Sequence, residues 1–162
     1  MNYLNEAVGY QKGRVFLGGT WNGSGWRDEL ISMLTTNNYF NPIVDNWNDE
    51  ARQVEQREKE ICQYHLYVLT PLMSGVFSIA KLIDDSNKIQ NRTLFCILNS
   101  DKQKGKNKKY IFDKDQMRSL KAVKEMAIDN GAIYYDSLRD IADFMNGELY
   151  KSFKAHSDYI ER

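Results

Sequence analysis

The sequence predicts an α/β fold in which a parallel sheet carries helices on both faces. Apolar runs of strand length alternate with segments of helical hydrophobic spacing, and the connections between them are short. Strands that alternate with helices pair in parallel, because each helix carries the chain back across the sheet. Five such strands predict a doubly wound sheet in the flavodoxin-like order 2-1-3-4-5.

The predicted strands are short apolar runs bounded by glycine, proline or asparagine. The first ends in a Gly-Gly turn, and the second is cut by Pro42, which forces an extended or turning chain. The third runs up to Pro71. Together they occupy residues 14–20, 39–44, 65–69, 92–98 and 132–135.

The predicted helices show apolar residues three or four positions apart. They occupy residues 26–36, 50–64, 76–88 and 113–130, and a last helix is capped by Asp136 or Ser137. Gly131 is the expected C′ residue of the fourth helix. We expect inward side chains at Val54 and Ile61 in the second helix, at Val76, Ile79, Ala80 and Ile83 in the third, and at Met117, Leu120, Val123, Met126 and Ala127 in the fourth.

Composition indicates one ordinary soluble domain. Of 162 residues, 22 are Lys or Arg and 22 are Asp or Glu, so no global basic field draws the chain to nucleic acid. The basic run at 102–109 is expected to be a solvated loop. We divide the chain into an N-terminal tail (1–13), one domain (14–147) and a C-terminal helical tail (148–162).

Membrane and metal signals are absent from the sequence. No apolar run approaches the ~20 residues that span a bilayer, and the first residues lack the apolar core of a signal peptide. Cys62 and Cys96 form no metal-ligand pattern. We therefore expect a cytoplasmic protein with reduced, buried cysteines, no cofactor and no membrane partner.

Two turns at the carboxyl edge of the predicted sheet are the candidate ligand site, because open α/β sheets bind ligands there. Gly18, Gly19 and Thr20 either let a ligand approach the first strand closely or form a tight turn that excludes a Cβ. Ser74, Gly75 and Ser78 precede or open the third helix. They either bind an anion or sugar hydroxyl or, in the case of Ser74, cap the helix.

A polar loop after the second strand is a further candidate. Asn41, Asp45 and Trp47 offer an amide, a carboxylate and a flat indole face, which together suit a nucleobase. The alternative is a polar loop around one partly buried tryptophan. His65 lies within a strand, and we interpret it as a core or edge residue.

Three segments together resemble the nucleoside 2-deoxyribosyltransferase-like family. They are Val15-Phe16-Leu17-Gly18-Gly19-Thr20 with Trp26-Arg27-Asp28-Glu29-Leu30, Phe40-Asn41-Pro42 with Asp45-Asn46-Trp47 and Gln53-Val54-Glu55, and Thr70-Pro71 through Asp85. The resemblance spans residues 14–146, nearly the whole domain.

The resemblance implies cleavage of the N-glycosidic bond of a deoxynucleoside. In the family, a glutamate on the helix after the third strand attacks the sugar C1′ and forms a covalent glycosyl-enzyme, which a second base or water resolves. Glu55 matches an acidic position that contacts base or sugar, although it also lies on a highly charged helix where carboxylates are commonly solvated. Members often form homo-oligomers in which a neighbour completes the site.

One position departs from the family pattern. Where the family has Ser-Ile-Ala-Glu, this chain has Ser78-Ile79-Ala80-Lys81, so a lysine occupies the position of the nucleophile. A protonated ammonium cannot attack C1′ and disfavours an oxocarbenium ion beside it. Lys81 can also contact a phosphate or pair with Asp84 or Asp85.

These observations favour a nucleoside- or nucleotide-binding protein of this family, as a homo-oligomer with impaired catalysis; whether it is an enzyme stays open. The alternative is a non-catalytic nucleotide-ligand binding or assembly protein on the same fold. A receiver-like regulator is a third interpretation, but Thr70-Pro71 stands where a receiver needs its aspartate.

Overall fold

The computed structural model describes residues 9–148 and has a five-stranded parallel sheet. In the order β2-β1-β3-β4-β7, its strands are β1 (Gln11–Gly19), β2 (Tyr39–Phe40), β3 (Cys62–Leu69), β4 (Thr93–Ile97) and β7 (Ile133–Tyr134). A separate antiparallel hairpin contains β5 (Ser100–Lys102) and β6 (Lys109–Ile111). Since the hairpin is an insertion after β4, the sheet has the predicted order 2-1-3-4-5, and the α/β prediction is confirmed.

Helices cover both faces of the sheet. They are α1 (Trp26–Ser32), α2 (Asp49–Ile61), α3 (Phe77–Lys88), α4 (Lys114–Asp129) and α5 (Leu138–Asp143), and a π-helical turn (Phe144–Glu148) follows. One core lies under α1 and α5, and the other lies under α3 and α4. No helix among the described residues is long and apolar enough to cross a bilayer.

Strand β3 is the centre of the molecule. It pairs in parallel with β1 and β4, and its neighbours place Leu66 beside Leu17 and Leu94. Leu66 and Val68 point into one core, whereas Tyr67 and Leu69 point into the other. A strand buried on both faces reads as a continuous apolar run, which is why the sequence identified it.

Three helical faces differ from the predicted ones. Val54 of α2, Val76 beside α3 and Met126 of α4 are all exposed. Helix α2 has no buried residue, and ionic contacts to β1 and α3 hold it instead of an apolar stripe. Ala80 is also exposed, whereas Leu82, Asp85 and Ser86 are the buried residues of α3. That face is turned inward because Asp85 bonds to side chains of β3.

Several boundaries also differ. Strand β1 begins at Gln11, inside the predicted tail, and β2 has only two residues. Helix α2 ends at Ile61, so β3 begins three residues earlier than predicted. The run at 102–109 is the turn and flanks of the β5–β6 hairpin rather than a loop throughout, because its end residues pair. The predicted C-terminal tail lies outside the described residues, apart from Glu148.

The predicted helix signals are confirmed at two places, Gly131 and Ser137. The structure adds a capping box, formed by Asp113 and Gln116 at the start of α4. Gly131 follows that helix with φ of 107°, a conformation that favours glycine. The Ser137 hydroxyl accepts a hydrogen bond from the Asp140 N–H at 3.1 Å and caps α5.

Candidate functional site

A cleft of about 370 Å³ opens at the carboxyl ends of β1 and β3. The chain leaves β1 toward β2 on one side and returns to β3 on the other, so the strand order reverses between them. Such a switch point is where open α/β sheets bind ligands. The cleft is lined by Phe16, Gly18, Gly19, Trp21, Pro42, Trp47, Glu55, Tyr67, Phe77, Ser78 and Lys81.

Six of the eleven predicted site residues line this cleft. They come from the end of β1, the loop after β2, and helices α2 and α3: Gly18, Gly19, Trp47, Glu55, Ser78 and Lys81. These positions are as many as 63 residues apart in the sequence, and only the sheet topology brings them together.

Thr20 is a buried part of the turn and does not line the cleft. Its N–H donates to the Val68 carbonyl at 2.9 Å, and its hydroxyl oxygen accepts from the Thr70 N–H at 2.9 Å. Thr20 therefore fastens the end of β1 to the end of β3.

The other four predicted residues lie around the cleft rather than in it. The Asn41 side chain accepts a bond from the Ile43 N–H at 3.2 Å, and Asp45 is exposed. The Ser74 hydroxyl accepts from the Asn22 amide at 2.9 Å, which ties the loop after β1 to the loop before α3. Gly75 is exposed and has no atom within 4 Å of a built Cβ. Ser74 does not cap α3, whose N-cap is Val76 without a side-chain hydrogen bond.

Most of the cleft-lining residues that the sequence did not predict are aromatic. Trp21 meets Trp47 edge to face, with ring centroids 5.8 Å apart, so two loops build one aromatic wall. Phe16, Tyr67 and Phe77 also line the cleft, as does Pro42. Strand alternation could have identified Phe16, because it lies two residues before Gly18 on the same face of β1.

Arg27 shapes the turn at the end of β1 from below. It is buried, and its guanidinium donates to the Leu17 carbonyl at 3.0 Å and to the Thr20 carbonyl at 2.6 Å. Trp26 donates its indole N–H to the same Thr20 carbonyl at 2.9 Å. Burial lowers the pKa of Arg27 to about 9, so the group remains charged at neutral pH and its bonds to carbonyls remain charge-assisted.

A buried carboxylate lies behind the cleft. The Asp85 Oδ2 atom accepts bonds from the Tyr67 hydroxyl and from His65 Nδ1, the latter at 2.9 Å, and it pairs with Lys59 Nζ at 3.2 Å. The second ring nitrogen of His65 lies 2.7 Å from the Lys59 carbonyl. This cluster joins α2, β3 and α3, and it fixes Tyr67 where that ring lines the cleft.

The cluster keeps Asp85 ionised. Burial by itself raises the pKa of this carboxyl, but hydrogen bonds from His65 and Tyr67 and the charge of Lys59 outweigh it and hold the pKa well below its usual range. The same burial, together with the Asp85 charge, raises the pKa of Tyr67, which therefore stays a neutral donor.

Lys81 lines the cleft and lies close to Lys59. Burial and the neighbouring Lys59 charge lower the pKa of Lys81, although Glu55 and Asp85 act in the opposite direction. Its Nζ lies 5.1 Å from the centre of the Phe77 ring. Among the residues that line the cleft, Lys81 has an amine side chain and Glu55 has a carboxyl side chain.

Comparison with known proteins adds no identification at this point. No family model, curated protein or solved structure matches the chain. The site is therefore interpreted from its own geometry and chemistry.

The remaining nucleophile and metal candidates lie elsewhere or are missing. Cys62 and Cys96 are free and buried, and burial raises the pKa of their thiols to about 11 and about 12. Within residues 9–148, no group of three or more His, Cys, Asp or Glu side chains could hold a metal ion.

Two of the three candidate glycines, Gly19 and Gly75, should respond differently to substitution. A Cβ at Gly19 would lie 2.2 Å from the Val68 carbonyl oxygen, and its φ of 113° disfavours a side chain, whereas Gly75 has open space. We expect Gly19→Ala to lower the free energy of unfolding by more than about 1 kcal/mol and Gly75→Ala to change it by no more than about 0.5 kcal/mol. Urea denaturation of both variants measures this, and equal effects would contradict the close approach of β1 to β3.

The contribution of Asp85 to the free energy of unfolding should depend on pH. Because its folded pKa lies below the unfolded value, its stabilisation is complete above about pH 4 and is lost as the pH falls through the folded pKa. We expect Asp85→Asn to cost roughly 3–5 kcal/mol at pH 7, since Lys59 and His65 lose their buried partner.

Asp84→Asn is the matched control for this measurement. Asp84 is the adjacent residue, but its side chain is 56% exposed and pairs with the exposed Lys88. We expect it to change stability by at most about 1 kcal/mol. If denaturant titrations at pH 7 and pH 3 gave both variants the same loss, the Asp85 cluster would not be the acid-sensitive element.

Proposed function

We propose that this chain is a nucleoside- or nucleotide-binding protein that resembles the nucleoside 2-deoxyribosyltransferase-like family and is impaired in that family's glycosyl transfer. One observation carries the proposal. Six positions chosen for their match to family motifs or for their place at the sheet edge line the same cleft at the switch point. Its volume of about 370 Å³ is within the range of small-molecule sites.

The lining of the cleft suits a nucleoside. Trp21 and Trp47 offer apolar ring surface for a planar base, and Gly18 and Gly19 leave room beside the strand end. Glu55 provides an acceptor for hydroxyl or amine donors. Ser78 lies in the first turn of α3, whose N-terminus has no side-chain cap, and this end of a helix favours a phosphate or a polar sugar group.

Impaired glycosyl transfer follows from Lys81. It lies in the cleft at the position that the resemblance assigns to the attacking glutamate. A lysine there supplies no carboxylate to attack C1′, and its protonated form opposes the positive charge that develops on the sugar ring in the transition state. Glu55 is the carboxylate of the lining, but it belongs to α2 rather than to α3.

A second candidate, a binding or assembly protein without catalysis, is favoured by the exposed apolar residues near the cleft. Val76 and Phe77 are 75% and 71% exposed, and Trp47 is 52% exposed. Exposed apolar residues grouped around a site are typical of protein interfaces. We propose a cytoplasmic homo-oligomer in which a neighbouring subunit covers this edge, with no nucleic acid or membrane partner.

The expected result with deoxynucleosides and their monophosphates is binding without base release or base exchange. Calorimetry measures binding, and chromatography measures free base. Lys81→Glu should gain base release, because it restores a carboxylate beside C1′. Lys88→Glu is the matched control, since Lys88 lies seven residues further along α3 and is exposed.

Two results would contradict the proposal. Turnover by the unmodified chain at least as fast as by Lys81→Glu would show that the lysine does not impair transfer. Absence of binding for all the deoxynucleosides and monophosphates would remove the ligand class. Sedimentation velocity on the same samples tests the oligomer, and a monomer at all concentrations would leave the cleft complete within one chain.

A further inference from the structure

Lys81 lines the cleft, and Lys59 lies beside two aromatic rings of the same lining, but the two lysines differ in their partners. Lys59 Nζ pairs with the Asp85 carboxylate at 3.2 Å, and it lies 5.9 Å from the Phe16 ring centre and 5.7 Å from the Tyr67 ring centre. Both rings line the cleft. Lys88 and Lys104 also pair with carboxylates within 4 Å, whereas Lys81 has no such partner among residues 9–148.

The two amines differ in their ionic partners. Lys59 pairs with a carboxylate that His65 and Tyr67 keep ionised. Lys81 is partly buried, and its Nζ lies 5.1 Å from the centre of the Phe77 ring. Burial and the Lys59 charge lower the pKa of Lys81, which increases the fraction of neutral amine near pH 7.

A lysine that lines a cleft and has a second cation nearby is in the arrangement that activates its amine as a nucleophile toward carbonyl carbon. We propose that Lys81 is an imine-forming lysine whose substrate class is the open-chain aldehyde of a pentose. The choice of a pentose rests on the proposed function, since the sugar of a nucleoside carries its reactive carbon, C1, at this position. The amine attacks the carbon as an aldehyde, and no sugar oxocarbenium ion is required.

The reaction is balanced within the cleft. The Lys81 lone pair forms a C–N bond to C1, the C=O π electrons move to oxygen, and a proton transfer gives a neutral carbinolamine. Loss of the hydroxyl group as water then forms the C=N bond, and the proton that the leaving hydroxyl needs comes from an acid. We assign this acid role to Lys59, whose ammonium pairs with Asp85 at 3.2 Å and whose charge acts on Lys81. Water reverses both steps and releases the sugar.

Lys88 is a matched internal comparison. It lies on the same helix as Lys81, but its side chain is 67% exposed, and it pairs with Asp84 at 2.7 Å. The hydrogen bond with Asp84 raises the pKa of Lys88. The two lysines therefore have opposite electrostatic environments within one protein and one reaction mixture.

The test is reductive trapping of the full chain with 2-deoxyribose or 2-deoxyribose 5-phosphate. Sodium cyanoborohydride supplies hydride that reduces the imine to a stable secondary amine, and peptide mass mapping locates the added pentose. We expect Lys81 to be labelled at least about tenfold faster than Lys88 at pH 7. Lys81→Arg should abolish the fast label, and Lys88→Arg should retain it, with circular dichroism confirming the fold of each variant.

Charge substitutions on either side of Lys81 give a readout that loss of structure would not imitate. Lys59→Gln removes the positive neighbour and should move the pH midpoint of Lys81 labelling upward. Glu55→Gln removes the negative neighbour and should move it downward. Equal labelling of Lys81 and Lys88, or midpoints that move in the same direction, would overturn the proposal.

Calorimetry with deoxynucleosides on the same samples separates this proposal from the proposed function. Nucleoside binding without selective trapping at Lys81 would overturn the imine chemistry and leave the nucleoside site standing. Selective trapping without nucleoside binding would support the imine-forming lysine and overturn the nucleoside ligand. Selective trapping of only the 5-phosphate would support the imine and restrict the substrate class to phosphorylated pentoses.

Discussion

The candidate site depends on the hydrogen bonds and the ion pair that the buried Asp85 carboxylate makes. This carboxylate is a charge placed in the interior, and burial alone would favour its neutral form. Three donors, from His65, Tyr67 and Lys59, converge on one of its oxygens and keep it ionised. Because those donors belong to β3 and α2 while Asp85 belongs to α3, one charge fixes three elements in relation to one another.

The electrostatics of the cleft follow from this arrangement. Asp85 compensates the charge of Lys59, so a cation can remain behind the cleft at low cost. That cation in turn opposes protonation of Lys81, which lines the cleft. Lys81 is therefore in a different electrostatic environment from the exposed, ion-paired Lys88 on the same helix.

The opposite wall is set by backbone contact. Gly19 lies so close to β3 that any side chain would meet the Val68 backbone, and the buried Arg27 binds the carbonyls of the same turn. Glycine at this point serves strand packing, and the same residue also lines the cleft. The two interpretations that the sequence left open are therefore compatible.

The order of strands and helices was determined by the sequence itself, because a strand buried on both faces, such as β3, must be a continuous apolar run. Gly131 after α4 and the Ser137 cap of α5 were predicted as well, since a cap needs only residues within one turn. Gly18, Gly19 and Ser78 were predicted because the ends of parallel strands meet at one edge, whereas Trp47 was chosen for its ring, and Glu55 and Lys81 by resemblance. The prediction that Val54 faces inward was wrong, because side chains with ionic partners can turn a helix that periodicity alone would place differently.

Only the tertiary structure decided that Trp21 faces Trp47, that Asp85 is buried among donors, and that Lys59 lies beside Lys81. Those pairs join residues that are 26, 18 to 26 and 22 positions apart, and no local pattern in the sequence encodes contacts at such distances.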